Sequence, residues 1–246
     1  MPVTRIEQQP GYVLHARAYR ETSLLLEVLS RDHGRVGLVA RGVRRERSRV
    51  PRGLLQPLQP LLFAWQARGE LGTLTAVESV ASPFVFAGDA LFAGMYLNEL
   101  VLRLTARNDA HVAAFDAYAD CLAALAEGAA IDWTLRRFER DLLAALGYAL
   151  ALTHAADTGE PVVRGTSYAY DPEAGPLVWR DQPGAFSISG DALLALHRDD
   201  MPDRAHLAEL RRLVRIVIRH QLAGGTLKAW SMRSLPDASA PTGPAS

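Results

Sequence analysis

Arginine is concentrated in one short stretch of the sequence, VARGVRRERSRVPR at residues 39–52. Six arginines, at positions 41, 44, 45, 47, 49 and 52, fall within twelve residues and are accompanied by a single acid, Glu46. Guanidinium groups at this density neutralise phosphates and displace the counterions that surround a nucleic acid. The stretch is therefore a candidate binding site for a polyanion, and the alternative is a charged loop that only faces solvent.

The remaining charge supports a division of the chain into a basic and an acidic part. The chain has 246 residues and a formal net charge of zero. Residues 1–56 contain 11 arginines and 5 acidic residues, so this part carries +6 and the remainder carries −6. Such an asymmetry predicts that one part of the protein meets a polyanion.

Motifs that would indicate covalent chemistry do not occur in the sequence. It contains no GxGxxG, GxxxxGK[ST], HExxH or GxSxG pattern. Cys121 lies in an apolar helical pattern, which favours burial. The pairs His154/Asp157 and His206/Glu209 are too isolated to indicate a metal or catalytic site. We therefore predict no catalytic residue, no metal and no cofactor; the sequence does not forbid catalysis, but nothing in it argues for catalysis.

Five short segments in the first eighty residues have the composition of β-strands. They lie at 11–19, 22–30, 34–43, 58–65 and 70–79, with turn residues between them. This spacing predicts a small closed barrel such as the five-stranded OB-fold, with the arginine-rich stretch as a loop after the third strand. Tyr12, Tyr19, Phe63 and Trp65 either fill the barrel core or stack on bases, and the core is favoured.

After Pro83 the apolar spacing becomes helical. Helices are predicted at 89–107, 111–128, 132–148, 190–198 and 203–225. Asp89 and Asp132 are predicted N-caps, and Gly147 is a predicted C-terminal cap. The last long helix carries arginines at 211, 212, 215 and 219, which we interpret as a solvated face.

Together these patterns predict an α+β multidomain protein. Its parts are an OB-fold barrel at 1–82, an all-α helical body at 83–148 and 188–234, a small irregular insertion at 149–187, and a disordered tail at 235–246. No apolar run is long enough for a signal peptide or a membrane span, which predicts a cytoplasmic protein that does not contact membranes.

Several blocks of the sequence are specific when they are taken in order. They are GYVLHARAYRETSLLLEVLSRDHGRVGLVARGVR (11–44), LLQPLQPLLFAWQARGELGTL (54–74), LFAGMYLNELVLRL (91–104), LRRFERDLLAALGY (135–148) and GEPV (159–162). In this order and at these distances, they make the sequence resemble the bacterial RecO family of recombination mediators. The resemblance implies an N-terminal OB-fold, a helical body and a small insertion.

The same resemblance implies a function without a covalent step. RecO-type proteins bind single- and double-stranded DNA, anneal complementary strands and bind the acidic C-terminal tail of single-strand binding protein. With RecR, they help RecA load onto coated strands, which implies a nucleoid-associated location. The alternative is an RNA-binding OB-fold protein of translation or RNA processing, which would read the 2′-hydroxyl.

One departure from the family concerns the insertion. Many members carry four cysteines there and bind zinc, whereas this sequence has Ala155 and Thr158 roughly where the first pair would fall. Zinc requires thiolate or imidazole ligands. We therefore predict a zinc-finger-like but cysteine-free insertion that is held by packing alone.

Two sets of residues are the predicted binding sites. The DNA-binding set is Arg35, Arg41, Arg44, Arg45, Arg47, Arg49 and Arg52, and the set for the tail of single-strand binding protein is Arg136, Arg137, Phe138 and Arg140. Arginines beside an apolar groove suit an acidic peptide that ends in a hydrophobic residue and a free carboxylate. The alternative for the second set, pairing of its arginines with Glu139 and Asp141 within the helix, stays open.

Overall fold

The computed structural model describes residues 4–45, 50–67, 69–180 and 186–232. Its strands are β1 (Thr4–Tyr19), β2 (Ser23–Ser30), β3 (Gly34–Ala40), β4 (Leu61–Ala67), β5 (Leu71–Ser79), β6 (Ser167–Asp171), β7 (Gly175–Val178) and β8 (Ser187–Ser189). Its helices are α1 (Gly88–Leu104), α2 (Val112–Ala126), α3 (Ile131–Ala145), α4 (Gly190–Arg198), α5 (Arg204–Gln221) and α6 (Lys228–Met232), with a 3-10 turn at Arg52–Leu55. Each predicted strand and helix overlaps an observed one, and the predicted disordered tail lies outside the described residues.

The first five strands close into a barrel in the order β1-β2-β3-β5-β4. The long strand β1 pairs with β4 through its first half and with β2 through its second half. A register shift between Ile6 and Gln9, with Gln8 at a φ of 52°, bends β1 so that it serves both neighbours. A closed barrel of five strands agrees with the predicted OB-fold.

Apolar side chains fill the barrel interior. Phe63 and Trp65 are only 1% and 2% exposed, and they pack with leucines and valines from all five strands. Tyr12 is buried on the side of the barrel that faces the helices, with its ring 5.1 Å from that of Tyr118. The barrel-core interpretation is therefore confirmed for Phe63 and Trp65. Tyr12 is also buried, but it lies in the core between barrel and helices, and Tyr19 is half-buried at the surface.

One hydrophobic core joins the barrel to the helices. Tyr12, Leu14 and Leu29 of the barrel pack with buried residues of α1, α2 and α3. Asn98 of α1 lies inside this core, where its Nδ2 donates to the carbonyl oxygen of Leu14 at 3.0 Å. Its Oδ1 accepts a hydrogen bond from the hydroxyl of Tyr118 at 2.5 Å. These bonds fix α1 and α2 against β1.

The insertion forms a three-stranded antiparallel sheet in the order β7-β6-β8. The description of it as irregular is therefore wrong, because strands of three to five residues are too short to give a clear periodic signal. Ala155 is 2% exposed and Tyr168 is 4% exposed in a core that they share with α3, α4 and α5. The Asp157 carboxylate accepts a hydrogen bond from the backbone N–H of Val178 at 3.2 Å.

Within the described ranges, no cluster of three or more His, Cys, Asp and Glu side chains has the arrangement of a metal site. No helix in that same part of the chain is long and apolar enough to cross a membrane.

The predicted helix caps have mixed outcomes. Asp89 and Asp132 are not N-caps, because α1 and α3 begin one residue before each aspartate. Both lie in the first turn, where a carboxylate interacts favourably with the positive end of the helix dipole. Gly147 is confirmed as the terminating residue of α3, since its φ is 86° and the N–H of Tyr148 donates to the carbonyl oxygen of Leu143 at 2.8 Å.

The junction between barrel and helices can be tested at Asn98. We expect Asn98→Ala to lower the free energy of unfolding by about 2–4 kcal/mol, because it leaves the Leu14 carbonyl and the Tyr118 hydroxyl unpaired in a buried environment. Tyr118→Phe removes one of the two bonds and should cost about half as much. Urea unfolding measures both changes, and an Asn98→Ala protein as stable as the parent would contradict the assignment.

Candidate nucleic-acid and peptide-binding sites

A basic hollow opens at one edge of the barrel, where the β1–β2 turn lies beside the chain that leaves β3. The hollow has a volume of about 470 Å³, and its lining residues are Tyr19, Arg20, Thr22, Ser23, Val39, Arg41, Gly42 and Arg45. The antiparallel pairing of Leu24 with Ala40 brings the two segments together. Arg44 holds them in place, since its backbone N–H donates to the carbonyl oxygen of Thr22 at 3.0 Å.

The hollow concentrates cationic and hydroxyl donors. Arg20, Arg41 and Arg45 are exposed, and in the described part of the chain no carboxylate forms an ion pair with them. The guanidinium of Arg20 lies 5.3 Å from the ring centre of Tyr19. Exposed guanidinium and hydroxyl groups of this kind bind phosphate oxygens without reading sequence.

Arg35, one member of the predicted DNA-binding set, lies apart from the exposed arginines of that set. Its side chain is only 16% exposed. It donates to Glu27 Oε2 at 2.9 Å and to the carbonyl oxygen of Thr105 at 2.8 Å, and Arg107 contacts the same carboxylate. Arg35 thus connects the barrel to the end of α1 and is not part of the exposed basic surface.

The other predicted arginines fall into two groups. Arg41 and Arg45 are exposed and line the hollow, Arg44 is exposed next to them in the chain, and Arg52 is exposed on the 3-10 turn. Arg47 and Arg49 lie outside the described residues. Sequence reasoning missed Arg20, which is far from the cluster along the chain, although the hairpin pairing of β2 with β3 places its turn beside that cluster.

A second site is a groove between α1, α3, α5 and α6, with a volume of about 260 Å³. Its apolar walls are Phe92, Met95, Ile131, Leu135 and Trp230. Phe92 and Met95 are 43% and 48% exposed, so apolar surface is accessible at its edge. Three arginines, at 136, 211 and 215, also line the groove.

The floor of the groove holds a buried ion pair. Arg136 Nη2 donates to Glu139 Oε1 at 2.6 Å, and the Tyr96 hydroxyl donates to the same oxygen at 2.5 Å. Burial raises the pKa of Glu139, and Arg136 opposes that shift. Burial also raises the pKa of Tyr96 well above its usual value. Two atoms of the pair, Arg136 Nε and Glu139 Oε2, are buried and have no hydrogen-bond partner within the described part of the chain.

The other two arginines lie at the rim of the groove. Arg211 Nη2 is 3.7 Å from a carboxylate oxygen of Asp132, and both side chains are largely exposed. The guanidinium of Arg215 lies 4.9 Å from the ring centre of Trp230. The rim therefore presents two positioned cations beside the apolar walls.

The structure separates the four residues predicted to bind the peptide tail. Arg136 lies in the groove, whereas Arg137 and Arg140 face away from it and bind Asp199 at 2.8 and 3.1 Å. Phe138 is 2% exposed in the core beneath. The intrahelical pairs of the alternative interpretation are present, since Arg136 binds Glu139 and Arg140 binds Asp141.

Sequence reasoning missed most of the groove. Its walls and rim include Phe92 and Met95 from α1, Arg211 and Arg215 from α5, and Trp230 from α6. These residues are distant along the chain, and helix packing alone brings them together. The helical spacing of Arg211 and Arg215 was visible in the sequence, but it gave no indication of what lies beside them.

A closed five-stranded barrel packed on a helical body places the chain in the class of proteins with an OB-fold-like N-terminal domain. Comparison with known families is more specific. Residues 4–83 match the family model "Recombination protein O N terminal", and residues 86–231 match "Recombination protein O C terminal". The chain belongs to the RecO family.

Curated relatives agree with this membership over almost the whole chain. The chain is 47% identical over 230 residues to the DNA repair protein RecO of Stenotrophomonas maltophilia (strain K279a), covering 92% of this chain and 96% of that protein. It is 46% identical over 231 residues to the DNA repair protein RecO of Xanthomonas campestris pv. campestris (strain B100), covering 92% and 95%. These matches support a role in DNA repair and recombination.

The structural role of Arg35 gives a testable contrast with Arg41. We expect Arg35→Ala to lower the free energy of unfolding by about 1–3 kcal/mol, because Glu27 and the Thr105 carbonyl lose a partly buried donor. Arg41→Ala should leave stability within about 0.5 kcal/mol of the parent, since its side chain is exposed. Urea denaturation measures both changes. Equal stabilities for the two variants would contradict the structural role of Arg35 between the barrel and the end of α1.

Proposed function

We propose that this protein binds single- and double-stranded DNA, anneals complementary strands and, with RecR, helps RecA load onto strands coated by single-strand binding protein. Family membership supports this proposal, and the observation that carries it is the basic hollow. It offers exposed guanidinium groups next to hydroxyls, and these suit phosphate contacts that do not depend on base sequence. Action on chromosomal DNA would place the protein at the nucleoid in the cytoplasm.

Annealing requires the protein to hold two complementary strands close together. Complementary strands repel each other through their phosphates, and a dense set of arginines reduces that repulsion. Base pairing then supplies the free energy of the product, so no covalent step or cofactor is needed. Phe63 and Trp65 are buried in the barrel core and do not face solvent. The proposed DNA binding therefore depends on charge more than on the stacking of bases.

The direct experiment is a strand-annealing assay with complementary oligonucleotides coated by single-strand binding protein. We expect the full-length protein to accelerate duplex formation, and a rate equal to the protein-free rate would refute the proposal. A parallel titration with single-stranded RNA of the same sequence separates the alternative. Clear preference for RNA would indicate a reader of the 2′-hydroxyl instead.

Charge reversal in the hollow tests the assignment of the DNA site. We expect Arg20→Glu, Arg41→Glu and Arg45→Glu in one protein to weaken single-stranded DNA binding strongly. The slope of log affinity against log salt concentration should fall by about 2, since each single-strand phosphate contact contributes about 0.7. A fluorescence-anisotropy titration at several salt concentrations measures both quantities.

A matched control carries the same change of charge elsewhere. Arg164, Arg180 and Arg204 are exposed on the insertion and at the start of α5. Reversal of these three should leave the salt slope close to that of the parent. If both triple variants lose affinity equally, net charge and not the hollow determines binding.

We also propose that the groove binds the acidic C-terminal tail of single-strand binding protein. The supporting observation is the combination of exposed apolar walls with three arginines, which suits a peptide that ends in a hydrophobic residue and a carboxylate. In this arrangement the hydrophobic end packs against Phe92 and Leu135. The upstream acidic residues lie near Arg211 and Arg215 at the rim.

Truncation at the groove wall tests this second site. We expect Phe92→Ala to weaken binding of a fluorescent tail peptide by about tenfold, because an apolar anchor in a groove contributes strongly. Arg211→Ala should weaken binding less and in a salt-dependent way, since its side chain is exposed. Val85→Ala is the control, because Val85 is 87% exposed and does not line the groove. Equal affinities for all three variants would exclude the groove.

A further inference from the structure

The buried pair at the floor of the groove has a consequence for ligand binding, which rests on the peptide-binding role proposed above. We propose that Glu139 competes with the peptide for Arg136, so that binding of a peptide carboxylate is coupled to the uptake of up to one proton by Glu139. Glu139 thereby makes peptide affinity depend on pH and is a specificity-determining residue of the groove.

The competition follows from the geometry of Arg136. Its side chain is only 7% exposed, and its Nη2 already donates to Glu139 Oε1 at 2.6 Å. A peptide carboxylate that reaches Arg136 must therefore share this guanidinium with Glu139, whose side chain is 1% exposed. Two carboxylates that share one cation in a poorly hydrated site repel each other, and protonation of one of them removes the repulsion.

The unpartnered atoms of the pair fit this exchange. Among the residues that the structure describes, none donates a hydrogen bond to Glu139 Oε2 and none accepts one from Arg136 Nε. A proton on Oε2 would convert the Glu139 carboxylate into a neutral carboxyl group that can donate a hydrogen bond, and the ligand carboxylate would supply the acceptor. Arg136 would then direct its charge to the ligand. The proton comes from the solvent, and no bond between heavy atoms changes.

Among the charged and titratable groups at the floor of the groove, Glu139 is the one that we expect to gain a proton when a peptide binds. Tyr96 faces it from α1 as a neutral phenol, and Cys121 faces it from α2 as a thiol whose pKa burial raises. Arg136 on α3 and Arg211 on α5 are cations that favour its charged form. Trp230 lines the groove from α6 and Arg215 from α5, with Asp89 and Asp132 near the helix starts, and none of the described lining residues is a histidine.

The sign of the pH dependence follows from these contacts. Burial raises the pKa of Glu139 in the free protein, and a bound carboxylate raises it further because like charges oppose ionisation. Binding is therefore strongest below the free pKa and weakens as the pH rises towards the bound pKa. With one proton taken up, affinity falls by up to about tenfold for each pH unit in that interval.

The experiment is a titration of the full-length protein with an acidic peptide that ends in phenylalanine and a free carboxylate. The titration is repeated at pH values from about 6 to 9, because the aspartates of the peptide titrate below this range. We expect parent affinity to fall with pH. Glu139→Gln keeps an oxygen for Tyr96 and Arg136, so it should bind several-fold tighter than the parent at the upper end and show a flat profile. A peptide with an amidated C-terminus should take up less than one proton with the parent.

Two further measurements keep the result unambiguous. Asp132→Asn removes a carboxylate at the rim, and it should shift affinity by a similar factor at every pH. Calorimetry of the parent in two buffers of different ionisation enthalpy counts the protons taken up, and this count does not depend on any variant folding.

The outcomes separate the inference from the role proposed for the groove. Parent binding that takes up no proton and does not vary with pH would overturn the role of Glu139 and leave the groove as the peptide site. A folded Glu139→Gln protein that binds more weakly than the parent at high pH would do the same. If the parent binds no peptide at any pH, the peptide-binding role of the groove fails and the inference fails with it.

Discussion

The core between the barrel and the helices is the constraint on which the rest of the structure depends. Tyr12 and Leu14 come from β1, and they are buried against α1 and α2 instead of facing solvent. Asn98 satisfies the Leu14 carbonyl within this core, so its polar atoms are paired where water is excluded. The Arg35–Glu27 pair closes the edge of the same interface. The barrel is consequently held against the helical body by a shared core.

Arginine has opposite roles at the two sites, and burial decides which role it takes. Arg20, Arg41 and Arg45 are exposed at the hollow, where a cation is already hydrated and can exchange water for phosphate at little cost. Arg136 is 6% exposed, and a charge in that position requires a partner, which Glu139 provides. Residues of identical type thus form an open electrostatic surface in one place and a paired, titratable floor in the other.

The limits of sequence reasoning can be followed along α3. The apolar spacing predicted this helix and its termination at Gly147, since both depend on residues close together in the chain. It did not predict that Arg136 would be buried while Arg137 and Arg140 bind Asp199 of the next helical segment. The side of a helix that becomes buried depends on its neighbours. Asp132 shows the same limit locally, because a helix that begins one residue earlier leaves its carboxylate in the first turn.

The sequence by itself determined the order of elements, the barrel class, the basic stretch and the family resemblance, because all of these lie in periodicity, composition and local motifs. Arg41, Arg44 and Arg45 are exposed as their lack of apolar periodicity indicated. Only the tertiary structure decided that Arg20 lies beside these arginines and that Arg35 pairs with Glu27 instead of facing solvent. It also decided that α1, α3, α5 and α6 enclose a groove. The physical reason is that these arrangements arise from contacts between segments distant in sequence, which hydrophobic packing selects and no local pattern encodes.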